Sequence, residues 1–190
     1  MDVITAIRSR RAYRSLEPVT ITSELINDLA ECASLAPSCF NKQPWRFVFV
    51  YETKQLTAIK TAMSPGNEWT FDASMIIAVC CRKEDDCVMK DGREYYLFDT
   101  GLATAVLIYR ATELGLVAHP IAGYDPIKAK ELLGIPAEIT LLTLVNIGKH
   151  AAEISPRLKG HQIEDETARP TRFPPAQFAF RNKYGEKWNS

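Results

Sequence analysis

The sequence shows no excess of charge of either sign: 23 Lys and Arg stand against 23 Asp and Glu. Nucleic-acid and anionic-membrane surfaces normally show a basic excess, so neither partner is favoured. Apolar runs are short. Even Ser74 to Cys81 falls well below the roughly 20 residues that span a bilayer. The opening Met1-Asp2-Val3-Ile4-Thr5-Ala6-Ile7-Arg8 is too short and too charged to read as a secretory leader. The five cysteines (Cys32, Cys39, Cys80, Cys81, Cys87) contain no C-x-x-C pair, no zinc spacing with histidine and no disulfide framework. A reduced, cytoplasmic protein is the expectation. Also missing are a P-loop, a dinucleotide-binding glycine fingerprint and a Ser/His/Asp grouping.

What remains is one domain's worth of alternating helix and strand signals over residues 1–190. Val3, Ile4 and Ile7 predict a short first helix. Thr22 or Ser23 can cap a second, with Leu25, Ile26, Leu29, Ala30, Ala33 and Leu35 on its apolar face until Pro37 stops it. Residues 45–51 predict a strand and 53–63 a helix. Met75 to Cys81 predicts a central strand, apolar on both faces. The pattern from Leu97 to Leu114 predicts a long helix whose only charges are Asp99, Arg110 and Glu113. One small domain can hardly bury it, so a subunit interface is expected. Strands at 117–121 and 141–147 flank a helix opened by Asp125-Pro126 and closed by Gly134. From 149 to 177 the chain is polar and punctuated by proline, and reads as an arm with an aromatic end. The order predicts an α+β or α/β sandwich.

Two local features carry chemistry. The segment Ser9-Arg10-Arg11-Ala12-Tyr13-Arg14 is a cationic cluster, and Arg10 and Arg14 would share a side if the helix continued. Guanidinium forks match phosphate oxygens bidentately. A second cationic pair, Arg169 and Arg172, lies far downstream. The segment Ala36-Pro37-Ser38-Cys39-Phe40-Asn41-Lys42-Gln43-Pro44-Trp45 places Ser38, Asn41 and Gln43 in a proline-bounded turn leading into a strand. Such uncharged donors and acceptors suit the polar edge of a flavin ring. Together the features read as a site for a planar ring bearing a phosphate, with flavin mononucleotide (FMN) the natural candidate. Taken singly, each has an ordinary alternative: solvated surface arginines, an Asx-rich turn, and, at Pro120 to Tyr124, a plain strand-to-helix loop. Cys80 and Cys81, adjacent on a strand, must face opposite ways and read as buried thiols.

The order Ile7-x-x-Arg10-Arg11-x-x-Arg14, then Ala36 to Trp45, then Pro120-Ile121-x-Gly123, resembles the nitroreductase family of FMN-dependent oxidoreductases. Trp69 to Ala73, Leu132 to Pro136 and Lys183 to Trp188 resemble it too, so the likeness runs over nearly the whole chain. The resemblance implies an α+β fold with a central mixed sheet flanked by helices. It implies a homodimer in which the 149–190 arm is exchanged and two FMN sites lie at the interface. It implies ping-pong transfer from NAD(P)H to a nitroaromatic, quinone or related small molecule, or, alternatively, dehalogenation or non-enzymatic flavin binding. By position it implies phosphate contacts from Arg10, Arg14 and Arg172, with Arg11, Arg169 and the Ala12 backbone also at the cofactor. It puts Pro37, Ser38, Cys39, Asn41 and Gln43 at the ring and the Ile121-Ala122-Gly123 backbone facing it. No residue is assigned a catalytic role of its own, and no metal is expected.

Overall fold

The computed structural model describes residues 1–187; the expected aromatic Trp188 lies outside the described residues. The elements are α1 (Val3–Ser9), β1 (Leu16–Glu17), α2 (Ser23–Ser34), β2 (Trp45–Val50), α3 (Thr53–Lys60), β3 (Met75–Cys81), α4 (Tyr95–Glu113), β4 (Val117–Ile121), α5 (Pro126–Leu133), β5 (Thr140–His150) and α6 (His161–Thr167).

The strand β3 organises the molecule. Every one of its residues is buried, and successive side chains must point to opposite faces. Met75, Ile77 and Val79 pack with Leu29 and Ala33 of α2 and with Leu107 and Ala111 of α4. Ile76, Ala78 and Cys80 pack on the other face with Leu56 and Ile59 of α3, Ala129 of α5, Trp69 and Leu158. The result is a three-layer α+β sandwich, as the apolar run predicts.

Pairing corrects the expected mixed sheet, because every described strand pair is antiparallel: β2 with β3, β3 with β5, β4 with β5, and β1 with the end of β5. The reason is topological. The α4 crossover joins β3 to β4, which run the same way, but β5 inserts between them and runs against both.

Element ends follow local chemistry. The Thr22 side chain caps α2 by accepting the Leu25 N–H. Asp125 caps α5, Pro126 opens it, and Gly134 closes it at φ 64°, a left-handed conformation that glycine adopts without strain. In α4, Thr100 and Thr104 donate their hydroxyls to the carbonyls of Tyr96 and Thr100, which lets these polar side chains be buried. Two expectations change. Helix α1 stops at Ser9 and Arg10 is extended (φ −55°, ψ 122°), so Arg10 and Arg14 do not lie on one helical face. The polar stretch after 149 is not an arm throughout: Lys149 and His150 complete β5, and Leu158 and Glu166 are buried. Continuous exposure runs from Thr167 to Phe178. Among the described residues, no helix is long and apolar enough to cross a membrane.

Candidate functional site

The cationic segments do converge. Arg10, Arg11, Ala12 and Arg14 line a recess of about 140 Å³ together with Asp165, Arg169, Pro170 and Arg172. Their environments differ, and the difference sorts them. Arg11 is committed to the fold: its guanidinium donates to the carbonyls of Asp165 (2.6 Å) and Glu166 (3.2 Å) and lies over the Tyr13 ring. Arg14 is paired with Asp165 at 3.3 Å. Arg169 donates to the carbonyls of Arg8 and Arg10, and Arg172 to that of Pro170. The Arg10 guanidinium has no hydrogen-bonding partner among the described residues. Burial, and then the neighbouring Arg169 and Arg172, hold its pKa below the usual guanidinium value. Three like charges around a recess with little carboxylate to offset them favour an anion there.

The backbone beneath these arginines is held by a residue the sequence did not single out. Glu166 is buried, and its two carboxylate oxygens accept the N–H groups of Arg14 (2.9 Å) and Ser15 (3.0 Å), with His150 Nε2 at 3.2 Å. A carboxylate some 150 residues along the chain leaves no local signal at Arg14.

The 36–45 segment forms the expected turn, and three of its non-glycine residues are left-handed: Phe40 (φ 46°), Asn41 (φ 57°) and Gln43 (φ 51°). Side chains stabilise this conformation. Ser38 Oγ accepts the Gln43 N–H at 3.1 Å, and Gln43 Nε2 donates to the carbonyl and the side-chain oxygen of Asn41. Asn41 Nδ2 and Gln43 Oε1 stay unpaired among the described residues, leaving one donor and one acceptor toward solvent. Asp99, buried in α4, accepts the Cys39 N–H at 2.7 Å. Burial raises the Asp99 pKa, the Cys39 N–H opposes that, and the adjacent Asp86 carboxylate adds to it. As the one acid in the apolar middle of a long helix, Asp99 did carry a sequence signal for a structural or functional task. Pro37 is exposed and Cys39 half-buried.

Cys39 corrects the expectation of five reduced thiols: it is joined to Cys87 in a disulfide. The partners are 48 residues apart, and only the fold brings them together. Cys80 and Cys81 are buried, as expected, with burial pushing the Cys80 thiol up to about 11.

The 121–123 loop closes β4. Ile121 is buried, Ala122 is exposed, and the Gly123 carbonyl accepts from the Ser64 N–H and from Asn67 Nδ2. A Cβ at Gly123 would collide with Asn67 Nδ2, so any other residue would have to displace that amide from the Gly123 carbonyl. Asn67 Oδ1 in turn accepts from Trp69 Nε1, Trp69 stacks on His119, and His119 Nδ1 donates to the Tyr13 carbonyl at 3.0 Å. This relay of buried rings ties the arginine segment to the 121–123 loop.

No residue of the 36–45 turn lines the arginine recess. Within one chain the site is therefore in two pieces. The recess, at about 140 Å³, accommodates a phosphate-sized anion; pockets for drug-sized ligands span roughly 300–1,000 Å³.

Comparison with known proteins identifies the family. Residues 7–68, which hold both the arginine segment and the turn, match the model of the nitroreductase family. A protein of Archaeoglobus fulgidus carrying the provisional name NADH dehydrogenase/NAD(P)H nitroreductase is 30% identical over 151 residues, covering 77% of this chain and 84% of its own. The crystal structure of an oxidoreductase containing FMN superposes with a TM-score of 0.78 at 26% identity, over 98% of this chain and 94% of that one. A nitroreductase family protein of Clostridium difficile superposes with a TM-score of 0.78 at 21% identity, over 96% and 99% of the two chains.

Proposed function

Because this chain belongs to the nitroreductase family, we propose that it is an FMN-dependent oxidoreductase that draws electrons from NAD(P)H and passes them to nitroaromatic, quinone or related small acceptors. The observation that carries the reading is the arginine recess. Arg10 is a half-buried cation without a partner among the described residues, beside Arg169 and Arg172, in a cavity of phosphate size.

The residues present fit the cofactor. Arg10, Arg169 and Arg172 would hold the FMN phosphate, with Ala12 offering only its backbone, while Arg11 and Arg14 keep the segment in place. Asn41 Nδ2 and Gln43 Oε1 would meet the polar edge of the ring, and the 121–123 backbone would border it. Bound FMN supplies the hydride chemistry. The chain's part is to bind, orient and exclude water, and Ser38, Asn41 and Gln43 of its turn do so without fixing a charge against the ring. Because the turn and the recess are separate within one chain, a second copy would bring its turn to the first copy's recess. One pocket used in turn by donor and acceptor gives ping-pong kinetics.

The test has two readouts. Arg10→Ala should weaken FMN binding by about 10- to 100-fold, the loss of a charged hydrogen bond worth about 1.5–3 kcal/mol. Initial rates with NADH or NADPH and a quinone should give parallel double-reciprocal lines. Unchanged FMN affinity in Arg10→Ala sinks the phosphate assignment. Intersecting lines reject the shared pocket, and no turnover despite bound FMN favours a binding protein.

A further inference from the structure

Cys39 sits inside the 36–45 turn, and its disulfide partner Cys87 sits in the segment between β3 and α4. The Cα atoms are 6.2 Å apart, within the usual range for a bridged pair. Both residues are half-buried, so a small thiol can approach. The other three cysteines are less suited to exchange. Cys80 and Cys81 are buried in the sheet, and burial raises the thiol pKa of Cys32. A carboxylate oxygen of Asp86 and the sulfurs of Cys39 and Cys87 all lie within 4.8 Å of one another. Asp86 is 6% exposed, and its Oδ2 has no hydrogen-bonding partner among the described residues. Two thiolates formed beside this carboxylate and the buried Asp99 would repel both, whereas a disulfide is neutral.

The bridge also has a mechanical setting. The turn it enters holds three left-handed non-glycine residues, a conformation that persists only where its surroundings impose it. The segment it reaches is largely exposed and otherwise held by surface ion pairs, Arg46–Asp85 and Lys83–Glu94 among them. Such pairs contribute little.

We propose that Cys39 and Cys87 form a reversible thiol–disulfide site, open to an external dithiol, that fastens the 36–45 turn to the 82–94 segment when oxidised and releases it when reduced. A thiolate of the dithiol attacks one of the two sulfurs. The Cys39–Cys87 bond breaks, and the departing sulfur leaves as a thiolate and takes a proton from water. The second thiol of the reductant then resolves the mixed disulfide. Two electrons and two protons have passed to the chain, and the dithiol has become a disulfide. That the released turn also lines a flavin rests on the reading above; the exchange does not.

The experiment uses the full chain, purified without reductant, and needs no flavin. Iodoacetamide labelling and peptide mapping are performed before and after equilibration with dithiothreitol, with circular dichroism to verify the fold. Expected are a linked, unlabelled Cys39–Cys87 pair in the untreated protein, joint labelling after dithiothreitol with the fold intact, and several-fold faster tryptic cleavage between Arg82 and Arg93 in the reduced form. Cys87→Ser should expose Cys39 to label without reductant and be cleaved like the reduced wild type. Free cysteines in the untreated protein overturn the proposal. So does a bridge that resists dithiothreitol until the chain unfolds, or cleavage indifferent to reduction. Stoichiometric Zn²⁺ retained by the thiols overturns it in favour of a Cys39/Cys87/Asp86 metal site. These outcomes stand whether or not FMN binds, so failure here and failure of the flavin reading are told apart.

Discussion

His119 shows how one residue's surroundings set a property of the whole protein. It is stacked on Trp69 and donates Nδ1–H to the Tyr13 carbonyl. Burial, the largest influence, lowers its pKa from 6.5 to about 4, even though the Tyr13 bond opposes the shift. The folded state therefore holds a neutral ring where the unfolded chain would take up a proton. Since the unfolded state binds more protons between pH 6.5 and 4, the contribution is complete above pH 6.5 and is lost as the pH falls through that window. Stability should drop by on the order of 2 kcal/mol between pH 7 and pH 5 from this residue alone. Urea titrations at the two pH values measure it. His119→Gln should flatten the dependence, and an unchanged slope in that variant would assign the acid sensitivity elsewhere.

At the scale of elements, the arginine segment depends on α6. Helix α1 ends at Ser9, so residues 10–15 have no helical ladder, and Glu166 accepts two of their N–H groups instead. Glu166→Gln replaces one acceptor oxygen by an amide NH₂, leaving a buried backbone donor without a partner. The expected cost is about 1–3 kcal/mol in stability. FMN affinity should fall as well, because the segment that carries Arg10 is held less firmly at Arg14 and Ser15. Equilibrium unfolding and a cofactor titration on the same variant separate this from Arg10→Ala, which should weaken binding with little effect on stability. Equal unfolding midpoints for Glu166→Gln and wild type would show that the segment is held by other contacts. The arginine cluster and the turn were legible in the sequence because each is contiguous. Glu166 and the Cys39–Cys87 bridge were not, because their partners lie 152 and 48 residues away and meet only after folding.

At the scale of the whole molecule, large apolar side chains stay exposed on adjoining elements, α1 and α4 among them. Val3, Ile4 and Ile7 of α1, Phe98 and Tyr109 of α4, and Phe173, Phe178 and Tyr184 of the terminal segment are all exposed. The α4 pattern, apolar nearly all round, raised this expectation, and α2, α1 and the sheet cover only part of the helix. A homodimer closing over these residues, with the segment from Thr167 reaching across, would also unite the turn and the recess. Sedimentation at low micromolar concentration should give twice the chain mass, and deleting residues 169–190 should weaken dimer and FMN together. A stable, FMN-loaded monomer would contradict both.

Sequence alone determined the layers and the chemistry available. A strand apolar on both faces demands cover on each side, capped helices supply it, and an arginine cluster together with a separate polar turn points to an anionic, planar ligand. Tertiary structure decided the pairing, the assembly and the roles. Insertion of β5 between β3 and β4 turned an expected mixed sheet into an antiparallel one. Folding spent Arg11 and Arg14 on partners some 150 residues away and left Arg10 without one among the described residues. It assigned Gly123 to the Asn67 amide and joined two of five expected free thiols. The physical reason is range. Periodicity, capping and turn chemistry act over a few residues and are written locally, whereas ion pairing, burial and disulfide geometry depend on neighbours that only the folded chain supplies.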